Sequence, residues 1–263
     1  MRFETLLLLT LAATSFLFAE AKVDTNAVTQ ANNPLANMKA LNFHNYYMGE
    51  LTETDKSADQ LWVRYVQPFS LGGTDWLLRA SLPYNSFPVG SKGETKSGFG
   101  DFNILAVYLM DVGMPAVSFG VGPLLILPTA TEERLGSEKY SAGIANVLFD
   151  ARSRIFQYGY LLTWQHSFAG DADRDTVNIA ALQPFALLQL GGGTYLRSVG
   201  IWYYDIEQEK YSIPIGLGVG QVIKRGKTVF NVFIEPQYSV ADKGAGVTRW
   251  QVFTGLNIQF FGQ

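Results

Sequence analysis

The chain contains no cysteine, so disulfide scaffolds and thiolate metal sites are excluded. Charge is scarce, at 16% of residues, and balanced: 20 Lys and Arg stand against 23 Asp and Glu, for a net charge of -3. No global field would recruit nucleic acid, and no nucleic-acid partner is expected. Only two histidines, His44 and His166, could act as an imidazole base. Past Lys22 no apolar run approaches the roughly 20 residues of a spanning helix; the best are Ile104 to Met110 and Leu124 to Leu127. Helical periodicity is sustained nowhere, although 263 residues are enough to bury a sizeable core. Glycine is abundant, with 26 residues, and aromatics reach 14%, which together suit a many-stranded β architecture.

The first 21 residues read as a cleaved secretory signal: Arg2 opens the charged region, Leu6 to Phe18 form an apolar stretch, and Ala19-Glu20-Ala21 is a small-x-small site. Residues 22–37 show little periodicity and read as a mobile periplasmic lead-in, too short to be a substantial plug. The rest, 38–263, reads as one domain. With a leader and no spanning helix, the mature chain is either soluble in an exported compartment or inserted as a barrel.

From Lys39 onward the dominant period is two. In 211–220, Tyr211, Ile213, Ile215, Leu217 and Val219 share one face, and Ser212, Pro214, Gly216, Gly218 and Gly220 share the other. In 250–260, Trp250, Val252, Leu256, Ile258 and Phe260 oppose Gln251, Gly255, Asn257 and Gln259, with Phe253 and Thr254 breaking the pattern. Such runs predict about twelve strands, at 39–50, 60–71, 75–84, 98–111, 115–128, 139–152, 155–168, 176–190, 194–204, 209–224, 228–241 and 248–261. Connectors after the even strands are short, as at Gly72-Gly73-Thr74 and Gly191-Gly192-Gly193. Those after the odd strands are mostly longer, as at 85–97, 129–138 and 169–175. An even strand number with alternating short turns and long loops predicts an all-β, transmembrane, up-and-down antiparallel β-barrel in the outer membrane of a Gram-negative bacterium, with both mature termini periplasmic.

A closed sheet pairs every backbone N–H and C=O within the protein, as lipid demands. The apolar face then points outward, toward outer-membrane lipid, with an aromatic girdle drawn from Tyr84, Tyr140, Tyr158, Trp202, Tyr203, Tyr204, Tyr211, Tyr238, Trp250 and Phe260. A soluble β-sandwich also alternates, but it favours charges on its exposed face, whereas the polar faces here are mostly Gly, Ser, Asn and Gln. Pro68, Pro123, Pro184, Pro214 and Pro236 fall within the predicted strands, where they are expected at bulges or rims.

Several motifs converge on one family. Ser97-Gly98-Phe99-Gly100-Asp101 opens a strand, and Gly120-Val121-Gly122-Pro123 leads to Leu127-Pro128-Thr129-Ala130-Thr131. Leu135-Gly136-Ser137-Glu138-Lys139, Ser167-Phe168-Ala169-Gly170-Asp171, Gln183-Pro184-Phe185 and Pro214 to Gly220 follow. This punctuation resembles bacterial outer-membrane proteins assigned to a MetA pathway of phenol degradation, whose relatives carry the labels transporter or neuromedin U. The resemblance implies an outer-membrane barrel with a transport role. The last strand, with Gly255, Ile258 and Phe260, also resembles the signal by which barrels engage the barrel-assembly machinery.

Twelve strands lie between the filled barrels of about eight and the wide channels of sixteen or more. On the predicted parity the lumen is lined by Arg64, Arg79, Asp101, Asn103, Gln157, Gln165, Asn231, Glu235 and Gln237, joined by Gln251, Asn257 and Gln259. Arg64 and Arg79 facing Asp101 and Glu235 would set a transverse field across a polar conduit for an unknown small solute, hydrophobic or aromatic. Alternatively these ions pair and close the lumen, leaving a structural barrel without transport.

No cofactor, metal or catalytic constellation is read. Asp171, Asp173 and Asp175 have the spacing of a calcium loop, but Thr176 and Leu182 stand where Gly and a bidentate Glu belong. Gly216, Gly218 and Gly220 alternate within a strand and open no helix, so they are no dinucleotide fingerprint. A phospholipase-like barrel is the enzymatic alternative, but Ser167 points away from His166, and a nucleophile must lie within reach of its base.

Overall fold

A computed structural model describes residues 25–54, 56–89 and 94–260. The expected signal peptide and the last three residues lie outside the described residues. A short helix, α1 (Thr25–Asn32), precedes an unbroken series of antiparallel strands. These are β1 (Lys39–Leu51), β2 (Lys56–Leu71), β3 (Thr74–Val89), β4 (Glu94–Phe99), β5 (Phe102–Met110), β6 (Val117–Leu127), β7 (Lys139–Asp150) and β8 (Phe156–Gly170). There follow β9 (Asn178–Gly191), β10 (Thr194–Ser198), β11 (Trp202–Asp205), β12 (Lys210–Gly216), β13 (Gly218–Arg225), β14 (Thr228–Lys243) and β15 (Thr248–Phe260). Each stave pairs the staves before and after it in sequence, and β15 pairs both β14 and β1, so the sheet closes on itself without an edge.

Fifteen hydrogen-bonded segments make twelve staves, because β4 with β5, β10 with β11, and β12 with β13 are each one stave broken by an irregularity. One break explains itself. Pro214 has no N–H for the ladder and sits at a register shift against β14, and the facing residues 199–201 leave regular pairing. Pro123, Pro184 and Pro236 lie inside their strands, each in register with one neighbour and facing a gap in the ladder on the other: opposite 106–107, 199–201 and the β12–β13 break respectively. The 85–97 stretch expected as a loop is in part strand, since β3 runs on to Val89 and pairs β4 as a projecting hairpin.

The short connectors gather at one end with the start of β1 and the end of β15. There Gly72, Gly73, Gly192, Gly193 and Gly226 adopt positive φ, the backbone that tight hairpins need and glycine adopts without strain. The longer loops gather at the other end. Between 128 and 138 the chain folds back as a 3-10 turn (Glu133–Leu135) that buries Leu135 against the barrel rim.

Alternation divides each stave into an outer and an inner set. The outer set is a belt of exposed apolar side chains, among them Val63, Leu125, Ile144, Leu162, Leu188, Ile215, Val219 and Ile234. Aromatic pairs cluster toward both ends of this belt: Phe69 with Trp76 and Phe156 with Tyr158 near the short turns, Tyr84 with Phe99 and Tyr140 with Phe168 near the long loops. A spanning strand needs about 9 to 11 residues, and most staves exceed that. Tyr203, expected in the outer girdle, departs from it. Trp202 and Tyr204 take the outer positions, so Tyr203 turns inward, with its hydroxyl 3.5 Å from Asp205.

The inner set is not uniformly polar. One aliphatic cluster joins Leu77, Leu105, Val107, Leu124, Ile126 and Val147 along β3 and β5–β7. A second, aromatic in part, joins Tyr46, Phe149, Tyr195, Phe233 and Phe253. Phe253, which breaks the alternation expected for the last strand, stacks on Tyr46 at 4.3 Å between ring centres, inside the barrel. The bare faces of β13 and β15 make room for these rings: a Cβ on Gly220 would meet the Tyr195 ring at 2.2 Å, and one on Gly255 the Phe233 ring at 2.1 Å.

The N-terminal segment corrects the expectation of a mobile lead-in. Val28, Ala31, Leu35 and Met38 are buried and lie inside the short-turn mouth. Val28 and Ala31 are three apart on α1, while Leu35 and Met38 follow in the turn after Asn32, so no single period marks the four in a stretch rich in Thr, Asn and Gln. Val28 and Ala31 join the cluster beside β13 and β14, and Leu35 joins the aliphatic cluster across the mouth. Burying each large apolar side chain contributes about 1.5 to 3 kcal/mol, which offsets the ordering of the segment.

Candidate functional site

Above the N-terminal segment lies a lumen cavity of about 360 Å³, within the range of small-molecule sites. Its floor is Ala31 to Met38. One wall is the aliphatic cluster, and the rest is built from β1–β3, β8–β10, β14 and β15. Arg64, Arg79, Asn103, Gln165, Asn231, Asn257 and Gln259 line it. The amides Gln157, Gln237 and Gln251 are buried in the inner set beside it.

The amides near the floor hold the segment in place. Gln157 Nε2 donates to Thr29 Oγ1 at 2.9 Å. Asn231 Nδ2 donates to Asn32 Oδ1 at 3.0 Å and to the Ala31 carbonyl at 3.3 Å. Gln259 Nε2 donates to the same carbonyl at 3.1 Å, and Asn33 Nδ2 donates to Ser118 Oγ at 2.9 Å. Polar side chains expected as conduit lining therefore serve the stopper's backbone and side chains, which would otherwise be buried unpaired.

The carboxylates do not face Arg64 and Arg79. Glu235 is fully buried and pairs with Arg197, Nε to Oε2 at 2.8 Å. Its other oxygen accepts from the Val199 N–H at 2.8 Å and from Gln237 Nε2 at 2.9 Å. Glu235 thus supplies an acceptor to backbone at the irregularity opposite Pro214. The Arg197 guanidinium also lies 3.5 Å from the Phe233 ring centre. Asp101 is committed to the 128–138 loop, accepting from the Ser137 N–H at 2.7 Å, the Ser137 hydroxyl at 2.8 Å and the Ala130 N–H at 3.3 Å. The transverse field expected from Arg64 and Arg79 against Asp101 and Glu235 is therefore not the arrangement present.

Arg197 and His44 are the basic residues of the lining that the expected lumen set lacks, beside the polar Asn42, Thr163 and Gln183. Arg197 shares its face with Tyr195, Val199, Ile201 and Tyr203, a run so apolar that the inward parity of this stave is hidden. His44 lies in β1, where aromatics occupy both faces. His44 Nε2 lies 2.7 Å from Asn257 Oδ1, and its Nδ1 receives Arg64 Nη1. A guanidinium only donates, so Nδ1 is the acceptor and Nε2 carries the proton toward Asn257. Arg64 also lies over Trp62, 4.7 Å from Cζ to ring centre. Among the described residues no carboxylate forms an ion pair with Arg64 or Arg79, and the Nε of each is buried without a hydrogen-bond partner.

Outside the lumen, His166 stands beside Trp164 on the outer face, with ring centres 6.4 Å apart. Ser167 Oγ accepts from the Val177 N–H at 3.0 Å in the adjoining loop. Asp171 caps its own loop through the Asp173 N–H at 2.8 Å, and Asp175 accepts from Gln208 at 3.0 Å.

No protein-family model and no curated protein sequence matches the chain. Among solved structures the barrel is similar to an outer membrane channel from Pseudomonas putida F1, with a TM-score of 0.65 at 9% identity over 85% of this chain and 94% of that one. It is also similar to the NanC porin, with a TM-score of 0.54 at 10% identity over 85% of this chain and 100% of that one. The likeness is one of fold.

Proposed function

We propose that this chain is a non-enzymatic outer-membrane channel for small solutes in a Gram-negative bacterium, narrow, anion-preferring and stoppered at rest by its own N-terminal segment. The observation that carries the reading is the combination of an apolar outer belt with a lumen that is not packed solid but holds a cavity lined by three arginines. Among the described residues Glu235 is the carboxylate that offsets Arg64, Arg79 and Arg197 in the lumen, and a ring of like charge selects permeant ions of the opposite sign. The similarity in fold to an outer membrane channel and a porin supports the same reading. On it, the short-turn end and both termini are periplasmic, the belt meets outer-membrane lipid, and β15 carries the contact with the barrel-assembly machinery. Membership of the MetA-pathway family belongs to the same proposal and rests on the glycine and turn motifs.

One observation favours a second reading, a closed structural barrel: the hydrogen-bonded segment across the mouth. The two readings part on conductance. Refolded protein from Lys22 to Gln263 in a planar bilayer is expected to give discrete current steps, with a reversal potential in a KCl gradient displaced toward that of chloride. Gln157→Ala with Gln259→Ala removes two bonds to the segment. At about 1 kcal/mol each, this shifts stopper opening by roughly 30-fold and raises the open fraction. Folded, heat-modifiable protein that stays silent in both forms would establish the structural barrel instead.

A further inference from the structure

We infer that the Arg64–Arg79 face of the lumen is a binding site for a compact amphipathic monocarboxylate, an aryl or short acyl acid. This inference rests on the channel reading and deepens it. The head-group half of the site lies on adjacent staves: Asn42 pairs Arg64 across β1 and β2, and Val66 pairs Arg79 across β2 and β3. Two guanidiniums therefore sit diagonally on one patch of wall, with the His44 ring beside Arg64. Their buried Nε groups have no partner, and no carboxylate among the described residues neutralises them. Arginine does not shed its proton, so charge compensation comes from a ligand or a mobile anion. A carboxylate suits the planar fork, which donates two parallel N–H bonds to its oxygens.

The other half of the site sets the body of the ligand. Leu77 lies on the same face of β3 as Arg79, two residues away, and the aliphatic wall continues from it through Leu105, Val107, Leu124 and Ile126. These residues offer no hydrogen bond to a sugar or an inorganic ion, and they favour a hydrocarbon or aryl surface removed from water. The volume of about 360 Å³, floored by Leu35 and Met38, accommodates a body of one to a few rings or a short chain.

The experiment is calorimetric titration of the refolded, detergent-solubilised chain with benzoate, benzyl alcohol, acetate and palmitate, alongside bilayer recordings in the presence of benzoate. Benzoate is expected to bind at least tenfold more tightly than benzyl alcohol, which lacks the charge, and than acetate, which lacks the body. Palmitate, whose long flexible chain must give up its rotamer freedom to enter the cavity, is expected not to displace it. Arg64→Gln and Arg79→Gln are each expected to weaken benzoate by tenfold or more while folding is verified by heat-modifiability. Equal binding of benzoate and benzyl alcohol to the unaltered chain would overturn the proposal without recourse to a variant, as would displacement by palmitate below benzoate's own concentration. Current that benzoate leaves untouched, together with no heat of binding, would sink the site and leave the channel standing. Benzoate binding in a silent barrel would do the reverse.

Discussion

Replacing Glu235 by glutamine tests the internal architecture most directly. The carboxylate is fully buried, accepts from Arg197 Nε at 2.8 Å through one oxygen, and serves the Val199 N–H and Gln237 through the other. Glutamine can keep the second set through its carbonyl oxygen, but it then turns an NH2 group toward Arg197, donor against donor. Removing one member of a buried pair costs about 3 to 5 kcal/mol, because the partner charge remains. Here Arg197 borders the cavity and keeps its contact with Phe233, so a loss near 3 kcal/mol is expected. The assay is urea unfolding in detergent or lipid, followed by tryptophan fluorescence and by migration of unheated protein on gels. Glu235→Gln combined with Arg197→Met removes the stranded charge and should recover most of the loss, with a coupling of about 2 kcal/mol or more. In bilayers the single variant should be more anion-selective. A single variant within about 1 kcal/mol of the parent, or a double variant no better than the single, would refute the pairing as the reason Glu235 is buried.

Two further predictions address the inner and outer faces. Gly220→Ala places a Cβ against the fully buried Tyr195 ring, which is tethered through its hydroxyl to Asn231 Oδ1 at 2.8 Å. A loss of about 1 to 3 kcal/mol is expected from overpacking, and combining it with Tyr195→Ala should cost less than the sum of the two changes. Independent additive losses would count against that contact. Ile144, half exposed near the middle of β7, is expected to lie at the lipid midplane. Ile144→Arg should cost about 2 to 4 kcal/mol on folding into vesicles, and an unaffected unfolding midpoint would show that this face does not meet hydrocarbon.

Much of the wall was legible in the residues. Period two in 211–220 and 228–241 shows which side chains share a face, and the glycine pairs at 72–73 and 192–193 mark tight turns whatever the surroundings. Inward placement of Asn231, Glu235 and Gln237 follows from the same alternation. Reading falters where both faces of a stave are apolar, as around Arg197 and Tyr203, because alternation of polarity then carries no parity. It falters again at Val28, Ala31, Leu35 and Met38, which are split between a two-turn helix and the irregular segment after it and acquire a common side only when a mouth of matching width is there to receive them.

Strand number, alternation and turn chemistry are local properties of the chain, and the sequence by itself determined them: a closed barrel, greasy outside, with short turns at one end. Which inward groups meet was decided by the tertiary structure, since the neighbour of a lumen side chain is set by stagger and by the radius of twelve staves. Glu235 accordingly found Arg197 and the Val199 N–H, Asp101 found the 128–138 loop, and the N-terminal segment found the open mouth. Arg64 and Arg79 were left facing a cavity, because the carboxylates that would have neutralised them were already committed to backbone and ion pairs elsewhere.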